Sequence, residues 1–175
     1  GLFQLHLYSR CTQVFPENTF WPLHNLVMKS LEGEGIHFSA VYIDRTFATD
    51  NAPTRKPNTG MLTTYMNNQD YDMENSFVIG DRITDMQLAK NLGCKGIWLN
   101  NDAALGGAEI KDKVEDLRQF TITLETKDWS DIYSFLKLGL RKASHERITN
   151  ESQIKIELNI VFNLIVNKIL MEKSF

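Results

Sequence analysis

Cysteine is scarce: Cys11 and Cys94 are the only two in 175 residues. So few exclude a disulfide framework or a cysteine-rich zinc site, make a reducing compartment the default, and leave both as small buried hydrophobes. Clustered positive charge is missing too. Nineteen Lys and Arg stand against 22 Asp and Glu, for a net charge of -3. No Lys/Arg run is interleaved with aromatics, so nucleic-acid binding is not expected as a main role. The most apolar stretch, residues 160–175, is broken by Asn163, Asn167 and Lys168, too short and interrupted for a membrane span. The opening residues lack the basic stretch, apolar region and cleavage site of a signal peptide. With Gly1 rather than a Met at the first position, the expectation is a cytoplasmic fragment. Internal repeats and low-complexity tracts are absent.

What is present is alternation. Residues 2–8 read as a strand, and Leu23, Leu26, Val27 and Leu31 form a helical stripe that Gly33 and Gly35 stop, with Pro22 placed in its first turn. His24, near the start of that helix, reads as a surface or capping residue. Residues 38–43 read as a buried strand ending at Asp44, 46–57 as a loop broken by Pro53 and Pro57, and 58–67 as a short helix. Beyond residue 93, strands are expected at 95–100 and 120–124, and helices on Ile110, Val114 and Leu117 and on Ile132, Phe135, Leu136 and Leu140. This order predicts a layered α/β domain, Rossmann-like, with a mostly parallel sheet, ending near Gly139. Residues 141–150 read as a polar linker. Ile154, Ile156 and Leu158 alternate like a half-buried strand, and Ile160, Leu164, Ile165 and Ile169 fit an amphipathic helical stripe that packs or self-associates.

The chemistry concentrates in residues 76–93. An apolar run, Phe77-Val78-Ile79, ends in Gly80-Asp81 and passes into a helical pattern capped by Gly93. Such a run reads as a buried parallel strand that delivers a carboxylate to its C-terminal edge, where open α/β sheets bind ligands. Gly80 permits a tight turn there. Asp81 at the strand tip and Asp85 one helical turn on form a candidate site for a hard cation such as Mg2+. A turn Asp followed by a first-turn helix Asp explains the same residues without a metal. Arg55 and Lys56, between two prolines, either grip an anion such as phosphate or solvate a loop.

Taken together, residues 15–36 (FPENTFWPLHNLVMKSLEGEGI), 50–62 (DNAPTRKPNTGML), 74–100 (ENSFVIGDRITDMQLAKNLGCKGIWLN) and 126–137 (TKDWSDIYSFLK) resemble the histidinol-phosphate phosphatase half of bifunctional histidine-biosynthesis proteins. That half belongs to the haloacid dehalogenase superfamily. A weaker likeness in 141–159 resembles the linker and first strand of the fused imidazoleglycerol-phosphate dehydratase. The resemblance implies a partial phosphatase domain over 1–140 and a truncated dehydratase start with a divergent tail over 141–175. It implies Mg2+-dependent hydrolysis of L-histidinol phosphate, with a small phosphate ester as substrate and neither nucleic acid nor membrane as partner. In such a protein, homo-oligomers form through the dehydratase part. Lys56 would offset phosphate charge and steady the nucleophile, with Arg55 beside it for substrate, Asp81 would bind Mg2+, and Asp85 would help hold that metal site together, with a catalytic role.

The chain also departs from that pattern. Superfamily members carry an Asp-x-Asp near the N-terminus whose first Asp attacks phosphorus, and none stands there. Asp44 has Thr46 where the second Asp belongs and lies only 12 residues before Lys56, too few for the intervening elements. The phosphate-binding segment after the second strand is lost, with Leu5 in its Thr position and only Thr12 matching its end. The positions aligned with a zinc-binding loop of some relatives are Asp44, Thr46, Ala52 and Thr54, so thiolate zinc binding is not expected. The expected sheet lacks its central catalytic strand, exposing apolar surface and unpaired edges. Three readings follow: a histidinol-phosphate phosphatase, a sugar bisphosphate phosphatase of the same superfamily, or an inactive piece lacking its aspartyl nucleophile.

Overall fold

The computed structural model describes residues 2–7, 17–139, 142–148, 153–159 and 169–171, with side chains placed for 18–137. In chain order these are β1 (Leu2–Leu7), α1 (Glu17–Gly33), β2 (Ala40–Asp44), α2 (Thr63–Met66), β3 (Phe77–Gly80), α3 (Ile83–Leu92), β4 (Lys95–Leu99), α4 (Val114–Phe120), β5 (Ile122–Thr126), α5 (Trp129–Gly139), β6 (Lys142–Ile148), β7 (Gln153–Asn159) and β8 (Ile169–Met171). Short 3-10 turns lie at Ala48–Asp50 and Gly107–Glu109.

Six strands form one sheet in the order β2-β1-β8-β3-β4-β5, and all five pairings are parallel. The α/β class with a mostly parallel sheet is as the residue pattern predicts. In β3 and β4 the two-residue period sorts side chains to opposite faces. Phe77, Ile79, Ile97 and Leu99 meet Ile132 and Leu136 of α5. Val78 faces Leu88, Ala89 and Leu92 of α3, and Trp98 meets Ile83, Met86 and Leu117. Burial on both faces is why these strands read as unbroken apolar runs. Gly93 ends α3 at φ 72°, donating its N–H to Ala89 and Lys90 carbonyls, the left-handed cap that glycine adopts without strain.

Four expectations need correction. The polar stretch 141–150 contains a strand: β6 pairs antiparallel with β7, Lys142 opposite Asn159 through Ile148 opposite Gln153, so backbone pairing with the alternating strand sets its conformation. The helical stripe expected in the tail fails at Ile169–Met171, which is strand β8, with Leu170 opposite both Phe3 and Val78. Residues 160–168 lie outside the described residues, as does Cys11. The position between β1 and β3, expected to be vacant, is held by β8 over three residues. Pro22 is the sixth residue of α1, beyond the first turn. His24 of that helix stacks on Phe20 at 5.3 Å, and desolvation lowers its pKa.

Candidate active site

β3 ends at Gly80, and Asp81 follows at the C-terminal edge of the sheet, its main-chain carbonyl accepting a hydrogen bond from Trp98 Nε1 at 3.2 Å. Gly80 is required by what lies behind it. A Cβ there would come 2.1 Å from Asp85 Oδ2 and 2.3 Å from its Cγ. The carboxylate of Asp85 thus packs on bare backbone, and its Oδ2 accepts the Arg82 amide at 3.1 Å, closing the first turn of α3.

Its other oxygen receives Lys56. The Nζ of Lys56 donates to Asp85 Oδ1 at 2.7 Å, with the two side chains 1% and 0% exposed. Burial pushes the Lys56 ammonium below its ordinary value, against the pull of Asp85, and pushes the Asp85 carboxyl up, against the pull of Lys56. A buried charge persists only when paired and hydrogen-bonded, so the contact explains how a lysine from residues 53–57 enters the interior. The Lys56–Pro57 peptide is cis. Arg55 is also buried, at 6% exposure. Its Nε and Nη2 donate to Glu109 Oε2 at 3.3 and 3.0 Å and its Nη1 to the Thr46 carbonyl at 2.9 Å. The solvated-loop reading of Arg55 and Lys56 is thereby excluded.

Of the sequence-predicted residues, Lys56 and Asp85 are in direct contact, and Asp81 is near enough to act electrostatically on both. Arg55 is held apart by Glu109, a residue no sequence signal singled out, because its partner lies 54 positions away. Glu109 Oε1 also stands 3.9 Å from Arg82 Nη1. Three carboxylates (Asp81, Asp85, Glu109) and three cations (Arg55, Lys56, Arg82) therefore balance, so a divalent cation and a phosphate dianion would enter as a neutral pair. Beside them an open groove of about 990 Å³ is lined by Arg55, Lys56, Asn58, Asn91, Glu109 and Lys111. Asp81 is not among its lining residues; the groove lies chiefly between residues 48–60 and 108–111, with Asn91 contributed by α3.

The acid chemistry elsewhere is structural. Asp44, at the end of β2 and 2% exposed, accepts the Thr46 amide and hydroxyl on Oδ1, while its Oδ2 is buried without a partner. The chain's one Asp-x-Asp, Asp70-Tyr71-Asp72, precedes β3 and so enters the sheet from the edge opposite Asp81. Asp72 there accepts the Asn75 amide and side chain at 3.2 and 2.9 Å. Among the described residues, no group of three His, Cys, Asp or Glu side chains is arranged to hold a metal ion. No described helix is long and apolar enough to cross a membrane.

Comparison with known proteins follows the same segment. Residues 53–117 match the HAD-hydrolase-like family model. The "Histidine biosynthesis bifunctional protein HisB" of Spirosoma linguale is 51% identical over 152 residues, 85% of this chain and 39% of that protein. Its Bacteroides fragilis counterpart is 49% identical over 149 residues, 85% and 38% of the two chains, and that of Xanthomonas oryzae pv. oryzae is 34% identical over 85% and 35%. The chain thus spans about two fifths of the relatives it matches. A solved D,D-heptose 1.7-bisphosphate phosphatase from B. bronchiseptica, complexed with magnesium and phosphate, aligns with a TM-score of 0.47 at 22% identity, covering 55% of this chain and 54% of that one.

Proposed function

We propose that this chain, which matches the HAD-hydrolase-like family model over residues 53–117 and is similar to the bifunctional proteins of histidine biosynthesis, is part of a HAD-like hydrolase and contributes to the Mg2+-dependent hydrolysis of L-histidinol phosphate. The observation that carries the reading is the Lys56–Asp85 pair beneath the strand tip that bears Asp81. An ammonium held beside carboxylates at a parallel sheet's C-terminal edge suits a phosphate ester, because phosphoryl transfer is catalysed chiefly by positioning and charge stabilisation.

The donor set fits a largely hydrated Mg2+, which binds through one or two carboxylates and retains several waters. Asp81 is the direct ligand in this reading. Asp85 contributes from behind, since both its oxygens are engaged by Lys56 and the Arg82 amide. When bound, Mg2+ supplies charge neutralisation at phosphate oxygens. Lys56 adds a second positive charge, and Arg55 fixes the wall of the same loop. The antiparallel pair β6-β7, a separate sheet from the six-stranded one, would open a dehydratase unit in this reading, and the substrate is a small phosphate ester handled in the cytoplasm.

The test is isothermal titration of the chain with Mg2+, and then with L-histidinol phosphate in its presence. Asp81→Ala should abolish the Mg2+ isotherm. Unchanged Mg2+ affinity would remove Asp81 from the site, and preference for a sugar bisphosphate over histidinol phosphate would replace the substrate.

A further inference from the structure

Arg55 and Arg82 share Glu109 on very different terms. Arg55 is 6% exposed and commits three N–H donors at 2.9 to 3.3 Å. The Arg82 side chain is 28% exposed, reaches Glu109 only at 3.9 Å, and makes no hydrogen bond through its guanidinium among the described residues. Its backbone is fixed, because its amide donates to Asp85 at the start of α3. A guanidinium carries five donors in a planar fork that matches phosphate oxygens. Here that fork is tethered one residue beyond Asp81 and close enough to Lys56 to act on its charge.

We infer that Arg82 is the guanidinium that contacts the phosphate of the substrate, exchanging its long contact with Glu109 for paired hydrogen bonds to non-bridging oxygens. Arg55 and Glu109 serve as positioning residues. The ion pair they make is the fixed part of the network, and Glu109 is the counter-charge that lets two guanidinium groups stand together without repulsion. This rests on the phosphomonoester reading and goes further in naming which cation meets the ester. Adjacency to Lys56 pointed to Arg55 for that role, but three of its five donors are already committed to Glu109 and the Thr46 carbonyl and its side chain is buried.

The experiment titrates inorganic phosphate, with Mg2+ present, into the chain and its R82Q, R82K and R55Q variants, with thermal unfolding of each. R82Q should weaken phosphate binding roughly tenfold or more, the scale of one lost charge-assisted hydrogen bond, while leaving Tm nearly unchanged. R82K should recover only part of the affinity, since it restores charge without the fork. R55Q should lower Tm by several degrees. Phosphate affinity unchanged in R82Q, while Asp81→Ala still abolishes Mg2+ binding, would overturn the role of Arg82 and leave the phosphatase reading standing. No phosphate binding by the parent chain would overturn both.

Discussion

Lys56 Nζ lies 2.7 Å from Asp85 Oδ1, and neither side chain is more than 1% exposed. Such a pair gains little net stability, since desolvation offsets most of the attraction, but removing one partner leaves an uncompensated buried charge. Lys56→Met should therefore cost about 3–5 kcal/mol in chemical denaturation, and Lys56→Met with Asp85→Asn together should recover most of that loss. A double variant as unstable as the single one would show that the pair is held by packing rather than by charge.

The edge of β5 gives a pH dependence. Arg118 Nε and Nη2 bond Glu125 at 2.9 and 3.0 Å, and Asn100 Nδ2 adds a third contact at 2.7 Å. The Arg118 hydrogen bonds hold the Glu125 carboxyl below its ordinary value of 4.5, with burial opposing. Below 4.5 the unfolded chain binds the proton first, so the contribution is complete above that pH and is lost as pH falls through the lower folded value. Both side chains are about a third exposed or more, so the amount is small, about 0.2–1 kcal/mol. Glu125→Gln should flatten the acid limb of Tm against pH by that amount while leaving the curve above pH 6 parallel to the parent. An unaltered acid limb would exclude this carboxylate from the acid response.

Much of this was legible in the chain. Residues 77–99 announce strand, helix and strand because β3 and β4 are buried on both faces and Gly93 occupies the one position with positive φ in that unit. Boundaries set by tertiary contacts were less visible. α4 starts at Val114, past Ile110, and runs through Phe120, which is 73% exposed, so β5 begins at Ile122. β6 carries few apolar residues and is defined by its pairing with β7. In the site, Asp81 and Asp85 could be read from their spacing on one strand-to-helix turn. The burial of Lys56 and the place of Glu109 depend on partners 29 and 54 positions away, which local pattern does not encode.

Catalysis by the chain itself is a separate matter from the site it carries. Asp44 and Asp72 accept hydrogen bonds within local turns, Asp44 at the end of β2, separated from β3 by two strands, and Asp72 before β3 rather than after it. Phosphoryl transfer through an aspartyl intermediate needs a carboxylate in line with the phosphorus, and loss of a nucleophile typically costs on the order of 10⁶ in rate. The 175-residue chain should release no phosphate from L-histidinol phosphate above a metal-chelated control in a colorimetric assay. Mg2+-dependent turnover would reveal a nucleophile in another part of the chain.

The last prediction concerns β8. Ile169–Met171 pairs with Leu2–Gln4 on one side and Phe77–Ile79 on the other, so three residues join β2-β1 to β3-β4-β5. The second group has its own support, because Phe77, Ile79, Ile97 and Leu99 pack on α5 and Val78 packs on α3. Within the sheet, β1 and β2 have only each other and β8. Ala40 and Tyr42 of β2 also pack on the core cluster around Leu62 and Val78, so deleting residues 160–175 should leave amide exchange protection in 77–99 near the parent level, lower it in 40–44 and erase it in 2–7. It should also expose two parallel edges that pair between molecules, raising the mass seen by light scattering. Full protection in 2–7 with unchanged mass would mean that β1 is held by something other than β8, and the six-stranded order would have to be redrawn at that point.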